Sequence, residues 1–328
     1  MRELLLEKLV EPITGSPLRL DVTRGGQGRI DEGTLTSEKT GTVYPIVRGI
    51  PRFVPKSVYA DSFGLQWNTF REVQIDAEAG DSLSADRFRD ETRWSREELE
   101  GKWVLDAGCG AARFAEVAAA MGPNLVALDM SSAVDAAAQT LARFANVDVV
   151  QASLLDPPFK AKSFDFAYCI GVLQHTPDPD RGVRQIVACV RPGGKFALTM
   201  YARRPWTKLN AKYVVRPLTK RLPAPVLLRA VELAMPAIFP ITDRLFRIPY
   251  LGWAARFAIP VATYVPEQRP HWTTEQRLRE SVLDTFDMLS PEFDSPMTWQ
   301  EVERDLAEVG AKEWTFTTRV PVNVIGTR

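Results

Sequence analysis

The stretch Val104-Leu105-Asp106-Ala107-Gly108-Cys109-Gly110-Ala111-Ala112-Arg113-Phe114 reads as an apolar strand that ends in a glycine turn and opens a helix. Gly108 and Gly110 permit positive φ and let a ligand approach the backbone with no Cβ in the way. Leu125 to Met130 reads as a second strand, ending in Asp129 about twenty residues further on, where a pair of acceptor oxygens suits the two hydroxyls of a ribose. Together these residues predict a site for a nucleoside cofactor. A dinucleotide requires a third small residue for close helix packing and a helix N-terminus open to its pyrophosphate. Arg113 occupies that third position, and Asp106 stands just before the turn. A fixed carboxylate there repels a pyrophosphate and favours a ligand that carries an ammonium and a sulfonium. An NAD-dependent oxidoreductase is disfavoured for that reason.

The elements that must position these residues follow from the apolar pattern. From Lys102 onward, short apolar runs (WVLDAG, LVALDM, VDVVQA, FDFAYCIG, KFALTMY) alternate with helical stretches, the signature of a parallel sheet with crossover helices. The expected fold is α/β and doubly wound, a Rossmann-like seven-stranded sheet with a small β-rich N-terminal module and a helical insertion. The expected partition is a module at 1–56, a helical lid or linker at 57–100, a cofactor-binding core at 101–202, a substrate cap at 203–290, and a last helix with the final strands at 291–328. The module is broken by Gly15, Gly25, Gly26, Gly28, Gly33 and Gly41, and Pro45, Pro51 and Pro55 make its exit extended. Residues 57–100 carry a local charge of −6 and read as a lid rather than a core.

At this point the sequence resembles the class I methyltransferases that use S-adenosylmethionine, which carries both the ammonium and the sulfonium. VLDAGCGAARF is similar to their first motif, with Ala112 in place of its last glycine. LVALDMS resembles the second, which implies that Asp129 holds the ribose and Met130 packs on the adenine. VQASLLDPPF resembles the third; Ser153 stands where an acid commonly accepts from the adenine amine, and the Leu154 backbone is the substitute. SFDFAYCIGVLQHTPDP and VRPGGKFALTMY match the strand, loop and turn that complete the sheet, so that Cys169, Ile170 and Gly171 offer carbonyls to the cofactor ammonium. The resemblance further implies a lid carrying Phe63, Trp67 and Asn68. His175, in the loop after the fourth strand, is the candidate general base, with a loop-orienting role as its alternative. Tyr201 is expected to face the acceptor, and Asp165 to open its strand; for His271 the default is a surface cap residue, with a place in the acceptor cleft as its alternative. The ubiquinone-pathway O-methyltransferases have acids where Gly171 and Gln174 stand here, so metal-assisted activation is not expected.

The N-terminal segments LVEPITGSPL and GTLTSEKTGTVYPIVRGIPRFVP resemble the small zinc-ribbon module of the Trm112 type. Its four cysteine positions hold Glu11, Thr14, Ser37 and Thr40, which leaves no zinc set. Packing of Tyr44, Ile46, Ile50 and Phe53 must then stabilise the module, whose expected role is structural or docking.

The chain has 328 residues, with 41 Lys and Arg against 41 Asp and Glu. That balance argues against a nucleic-acid binder. Cys109, Cys169 and Cys189 are scattered, which fits a reducing cytoplasm. Glu3 and Glu7 interrupt the first apolar stretch, unlike a secretory signal. The longest charge-free apolar run, Leu233 to Thr242, falls short of the roughly 18 residues of a spanning helix, so no transmembrane segment is expected. Eight Lys and Arg between Tyr201 and Val231, with no acid among them, give that segment +8. Arg204, Lys208, Lys212, Arg216 and Lys220 recur at i,i+4, the spacing of one basic helical stripe, which Pro217 is placed to break. With the apolar stretches beyond, this reads either as a solvated basic face over an apolar cap core or as a pocket for a small-molecule acceptor that is anionic or amphiphilic, with peripheral membrane contact in view. O-methylation is the expected reaction; a non-catalytic cofactor-binding scaffold is the alternative.

Overall fold

The structure is a computed structural model that describes residues 1–54 and 59–328. Pro55 and the expected module boundary at 56/57 lie outside the described residues. The first strands, β1 (Leu18–Gly26), β2 (Arg29–Ser37), β3 (Val43–Val47) and β4 (Ile50–Pro51), form an antiparallel sheet in the order β1-β2-β3-β4. Four helices follow: α1 (Asp61–Thr69), α2 (Asp76–Ala79), α3 (Leu83–Thr92) and α4 (Arg96–Leu99).

The core begins with β5 (Trp103–Ala107), α5 (Arg113–Ala119), β6 (Asn124–Asp129), α6 (Ala133–Thr140) and β7 (Val147–Gln151). It continues with β8 (Phe164–Ile170), α7 (Pro179–Cys189) and β9 (Val190–Met200). The insertion holds α8 (Ala211–Thr219), α9 (Ala224–Leu245), α10 (Leu251–Ala258) and α11 (Thr274–Leu289). Then α12 (Trp299–Glu308), β10 (Glu313–Arg319) and β11 (Val322–Thr327) return to the sheet. Its order is β10-β11-β9-β8-β5-β6-β7, with parallel pairing from β9 to β7 and antiparallel pairing at β10 and β11. The order of connection reverses at β5, with β6 and β7 added on one side and β8 and β9 on the other, so a crevice opens past the carboxyl ends of β5 and β8, where such sheets bind ligands. This is the α/β fold of the class I methyltransferases.

Two expectations about packing change. The acidic segment 57–100 is not only a lid. Phe88 and Leu99 are fully buried, and the Trp94 ring packs on Phe166 and Tyr168 at 4.9 and 6.2 Å. Phe88, Trp94 and Leu99 enter the core while Asp86, Arg89, Asp90, Arg93, Arg96 and Glu97 stay exposed. The N-terminal segment likewise shares a core with the sheet, because Leu5, Leu9, Ile30, Leu35 and Ile46 pack in one cluster with Leu105, Val126 and Phe164. The Phe53 amide donates to the Gln151 carbonyl at 2.7 Å, so the small sheet covers the β7 edge.

The four positions of the implied zinc set are joined by hydrogen bonds in two pairs. Glu11 Oε2 accepts from the Thr14 backbone and hydroxyl at 2.5 and 2.6 Å, and Ser37 Oγ accepts from the Thr40 amide at 3.1 Å. Tyr44 donates to Glu11 Oε1 at 2.9 Å, and its ring lies 4.9 Å from Phe53.

The basic stripe does not form. Asn210 caps α8 at Lys212, so Arg204 and Lys208 lie outside the helix. Lys212 pairs with Asp294 at 2.6 Å. Arg216 is buried and donates to the carbonyls of Met288 and Pro291 at 3.0 and 2.7 Å. Among the described residues one helix, α9, is long and apolar enough to cross a membrane by length and composition, with mean hydropathy 1.5. It runs through Pro236 and Pro240 and takes in Arg229, Glu232 and Asp243, well past the charge-free run.

Candidate active site

A cavity of about 780 Å³ lies at the crevice and reaches from the β5 turn to the cap. Its sheet-side wall contains Gly108, Gly110, Asp129, Met130, Leu154 and Ile170. Trp67, His175 and Tyr201 also line it. These nine were expected at the site from sequence, and the fold brings them together.

The turn has the geometry that glycine alone tolerates. Gly108 has φ +97, and a Cβ there would lie 2.6 Å from the Val172 side chain; Gly110 has φ +53, and its Cβ would lie 3.0 Å from Trp67 Nε1. Ala112, also left-handed at φ 73, stands where the family motif has its last glycine. That conformation costs a non-glycine residue about 1–2 kcal/mol. Asp129 Oδ2 accepts the Gly110 amide at 2.9 Å, and Oδ1 accepts the Ser131 amide and hydroxyl at 2.8 and 2.7 Å. Burial pushes the Asp129 carboxyl up, against these hydrogen bonds.

Asp106 does not line the cavity. It lies beneath the turn, 2% exposed, and burial pushes its carboxyl up to about 8, aided by the charge of Asp129. Ser153 also stays off the wall, with its hydroxyl accepting the Leu155 amide at 3.1 Å while Ala152 and Leu154 face inward. Asn68 is turned toward the chain, donating to the carbonyls of Gly64 and Ser132 at 2.7 and 3.0 Å. His271 is exposed and does not reach the site. Its segment is held instead by Trp272, which donates to Asp81 at 2.9 Å, and by Arg269, which packs over the Tyr264 ring. The Gly171 carbonyl already accepts from Gln174 Nε2 at 2.7 Å, and burial raises the Cys169 thiol well out of the reactive range. Asp165 pairs with Arg191 at 2.6 Å and accepts the Trp103 amide at 2.8 Å, away from the cavity.

The His175 ring sits between Phe63 and Tyr201, 5.2 and 5.6 Å from their centroids. Its Nδ1 lies 3.2 Å from the Phe293 carbonyl, which selects the tautomer protonated there and leaves Nε2 as the acceptor.

Several wall residues left no local signal in the sequence. Tyr59 stands near Asp129, and burial with that negative charge pushes its hydroxyl up to about 12. Gln66 is fully buried and donates to Asp287 at 3.0 Å. Asp284 accepts from the Tyr264 hydroxyl, and burial with the charges of Glu280 and Asp287 pushes it up to about 7. Glu280, Asp284 and Asp287 recur at i,i+4,i+7 on α11, so one face of that helix is acidic. The i,i+3/i+4 pattern was visible in the sequence, but not which cavity the face meets.

Two features of this geometry fit S-adenosylmethionine: the glycine cradle that admits no Cβ, and a buried carboxyl under it whose elevated proton affinity a cationic ligand would relieve. Residues 105–198 match the family model described as a methyltransferase domain. The chain therefore carries a methyltransferase domain over these residues. Among its curated relatives are the ubiquinone biosynthesis O-methyltransferase of Coxiella burnetii, 32% identical over 128 residues, covering 37% of this chain and 55% of the relative. That of Pseudomonas entomophila is 32% identical over 131 residues, covering 39% and 56%. The chain thus spans about half the length of the relatives it matches. A solved S-adenosylmethionine-dependent methyltransferase of Mesorhizobium loti is 27% identical, with TM-score 0.31, over 35% of this chain and 52% of that one.

Proposed function

We propose that this protein is an S-adenosylmethionine-dependent methyltransferase that methylates a hydroxyl of a small or lipid-linked acceptor. The observation that carries the reading is the continuity of one cavity from the glycine cradle and Asp129 to the cap side chains of α11. Cofactor and acceptor can therefore meet in one continuous space. Asp129 is the ribose acceptor in this reading, Met130 and Leu154 flank the base, and the carboxyl of Asp106 answers the positive charge from below.

S-adenosylmethionine, when bound, supplies an electrophilic methyl group and a neutral leaving group. The protein's own task is alignment, exclusion of water and removal of one proton from the acceptor oxygen. Nε2 of His175 and the carboxylate of Asp284 are two wall groups able to take that proton. The cavity wall mixes Arg87, Arg113 and Arg269 with Glu280, Asp284 and Asp287, so an anionic acceptor no longer follows from the segment 201–231. An amphiphilic acceptor keeps the support of the apolar cap.

Calorimetry with S-adenosylmethionine, followed by transfer of a labelled methyl group to candidate hydroxylated acceptors, tests the reading. Tight NAD binding without S-adenosylmethionine binding would sink it.

A further inference from the structure

The outer face of the cap is apolar and basic at once. Along α9 the inner positions Leu227, Leu228, Val231, Met235 and Phe239 are buried in one cluster with Leu283 and Phe286 of α11. The outer positions Val226, Leu233 and Ile241 are 54%, 65% and 65% exposed. Leu218 on α8 is 71% exposed, and Tyr250 and Trp253 at α10 are 92% and 73% exposed. Single exposed apolar side chains need no explanation, but a set on three successive helices that includes tryptophan and tyrosine marks an interaction face.

Charge identifies what it meets. Residues 201–258 hold eleven Lys and Arg against Glu232 and Asp243 alone. Arg204, Lys208, Lys220, Arg221 and Arg244 are exposed and have no ion-pair partner among the described residues. A second copy of this chain is a poor occupant, because a two-fold contact would press the basic surface against itself. Spanning a bilayer would strip the inner face of α9 from α11 and carry Arg229 and Glu232 into hydrocarbon.

We propose that the outer face of α8, α9 and α10 seats on an anionic lipid bilayer, its apolar side chains at the boundary of headgroups and acyl chains and its unpaired cations on lipid phosphates. A smaller cavity of about 210 Å³ lies between this face and the main one. It shares Tyr201, Asn210 and Lys212 with the main cavity and adds Phe257, whose ring stacks on Trp253 at 6.5 Å. The inference does not depend on methyl transfer, since a binding surface is read out separately from the active site.

The test is sedimentation of the full chain with vesicles of phosphatidylcholine and phosphatidylglycerol, and with vesicles of phosphatidylcholine alone. The chain is expected to sediment with the mixed vesicles, more weakly as salt is raised, and to stay in solution with the neutral ones. Each cation is worth about fivefold near such a surface, so Lys220→Glu with Arg221→Glu should weaken binding by at least about tenfold. Leu233→Asp with Ile241→Asp should do the same, with thermal melting and S-adenosylmethionine affinity unchanged. No sedimentation with mixed vesicles, equal binding to both kinds, or binding insensitive to salt would each overturn the proposal. A dimer of the unmodified chain that the Leu233→Asp, Ile241→Asp variant dissociates would assign the face to a second copy and also overturn it. The salt dependence and lipid preference of the unmodified chain decide the matter even if a variant fails to fold.

Discussion

Arg2 grips both oxygens of Asp148, through its backbone N–H at 2.6 Å and its Nε at 2.8 Å, across 146 residues of chain. The pair is buried, with the Asp148 side chain at 0% exposure, and Arg2 Nη1 goes on to Asn124 at 2.8 Å. It ties the N-terminal segment to β7 in the middle of the shared apolar core. Removing one partner of such a pair leaves a buried charge uncompensated, at a cost of about 3–5 kcal/mol. Asp148→Ala should lower unfolding stability by that order, measured by urea titration. A loss within about 0.5 kcal/mol would mean that the N-terminal segment is held by its apolar contacts alone.

Asp129 links the two cofactor strands through its side chain, because its carboxylate accepts the Gly110 amide at 2.9 Å. Asp129→Ala removes that bond and the acceptors proposed for the ribose. Hydrogen bonds to a charged group are worth about 1.5–3 kcal/mol, so S-adenosylmethionine affinity should fall by at least about tenfold by calorimetry. Unchanged affinity would remove Asp129 from the site.

Asp106, with its carboxyl pushed up to about 8, is largely protonated at neutral pH in the free protein. A cationic ligand favours the ionised form, so affinity should strengthen as pH rises toward 8, with a proton released on binding. Calorimetry in two buffers of different ionisation heat reads that proton directly; identical heats would refute the assignment. The stability term has the opposite slope. The folded chain keeps a proton that the unfolded chain loses near 3.8, so this group's contribution declines as pH climbs from about 4 to 8. Asp106→Asn should flatten that slope.

His175 and Asp284 are separable by substitution. His175→Ala should reduce turnover with little change in cofactor binding, and unchanged turnover would leave it the role of orienting its loop against Phe293. Burial together with the charges of Glu280 and Asp287 raises Asp284, while the Tyr264 hydroxyl and Arg113 act the other way, leaving it at about 7. If Asp284 takes the acceptor proton, kcat/KM should climb with pH through about 7, and Asp284→Asn should lose that limb and about 100-fold or more in rate. An Asn variant with the same profile and rate would exclude it.

The glycine turn and Asp129 were legible because their requirements are local: φ near +97 and +53 at two positions, and a carboxylate at the end of the neighbouring strand. Alternating apolar runs announced the parallel sheet for the same reason, since strands buried on both faces have no polar side. Sequence left His271 open between the surface and the cleft because only packing turns a side chain in or out; Trp272 and Arg269 anchor the segment and leave His271 in solvent. The basic stripe was misread because its spacing presumed one helix, whereas Asn210 starts α8 six residues after Arg204 and the two inner cations are consumed by Asp294 and backbone carbonyls. Tyr59, Gln66 and Asp284 reach the cavity from elements far apart in the chain. Short-range chain geometry thus made the glycine turn and Asp129 readable from sequence, while Asp106 and Ser153 were expected on a wall that they do not reach. The acceptor end depends on how α1 and α11 pack over the sheet, and contacts between distant segments are decided only when the whole core closes.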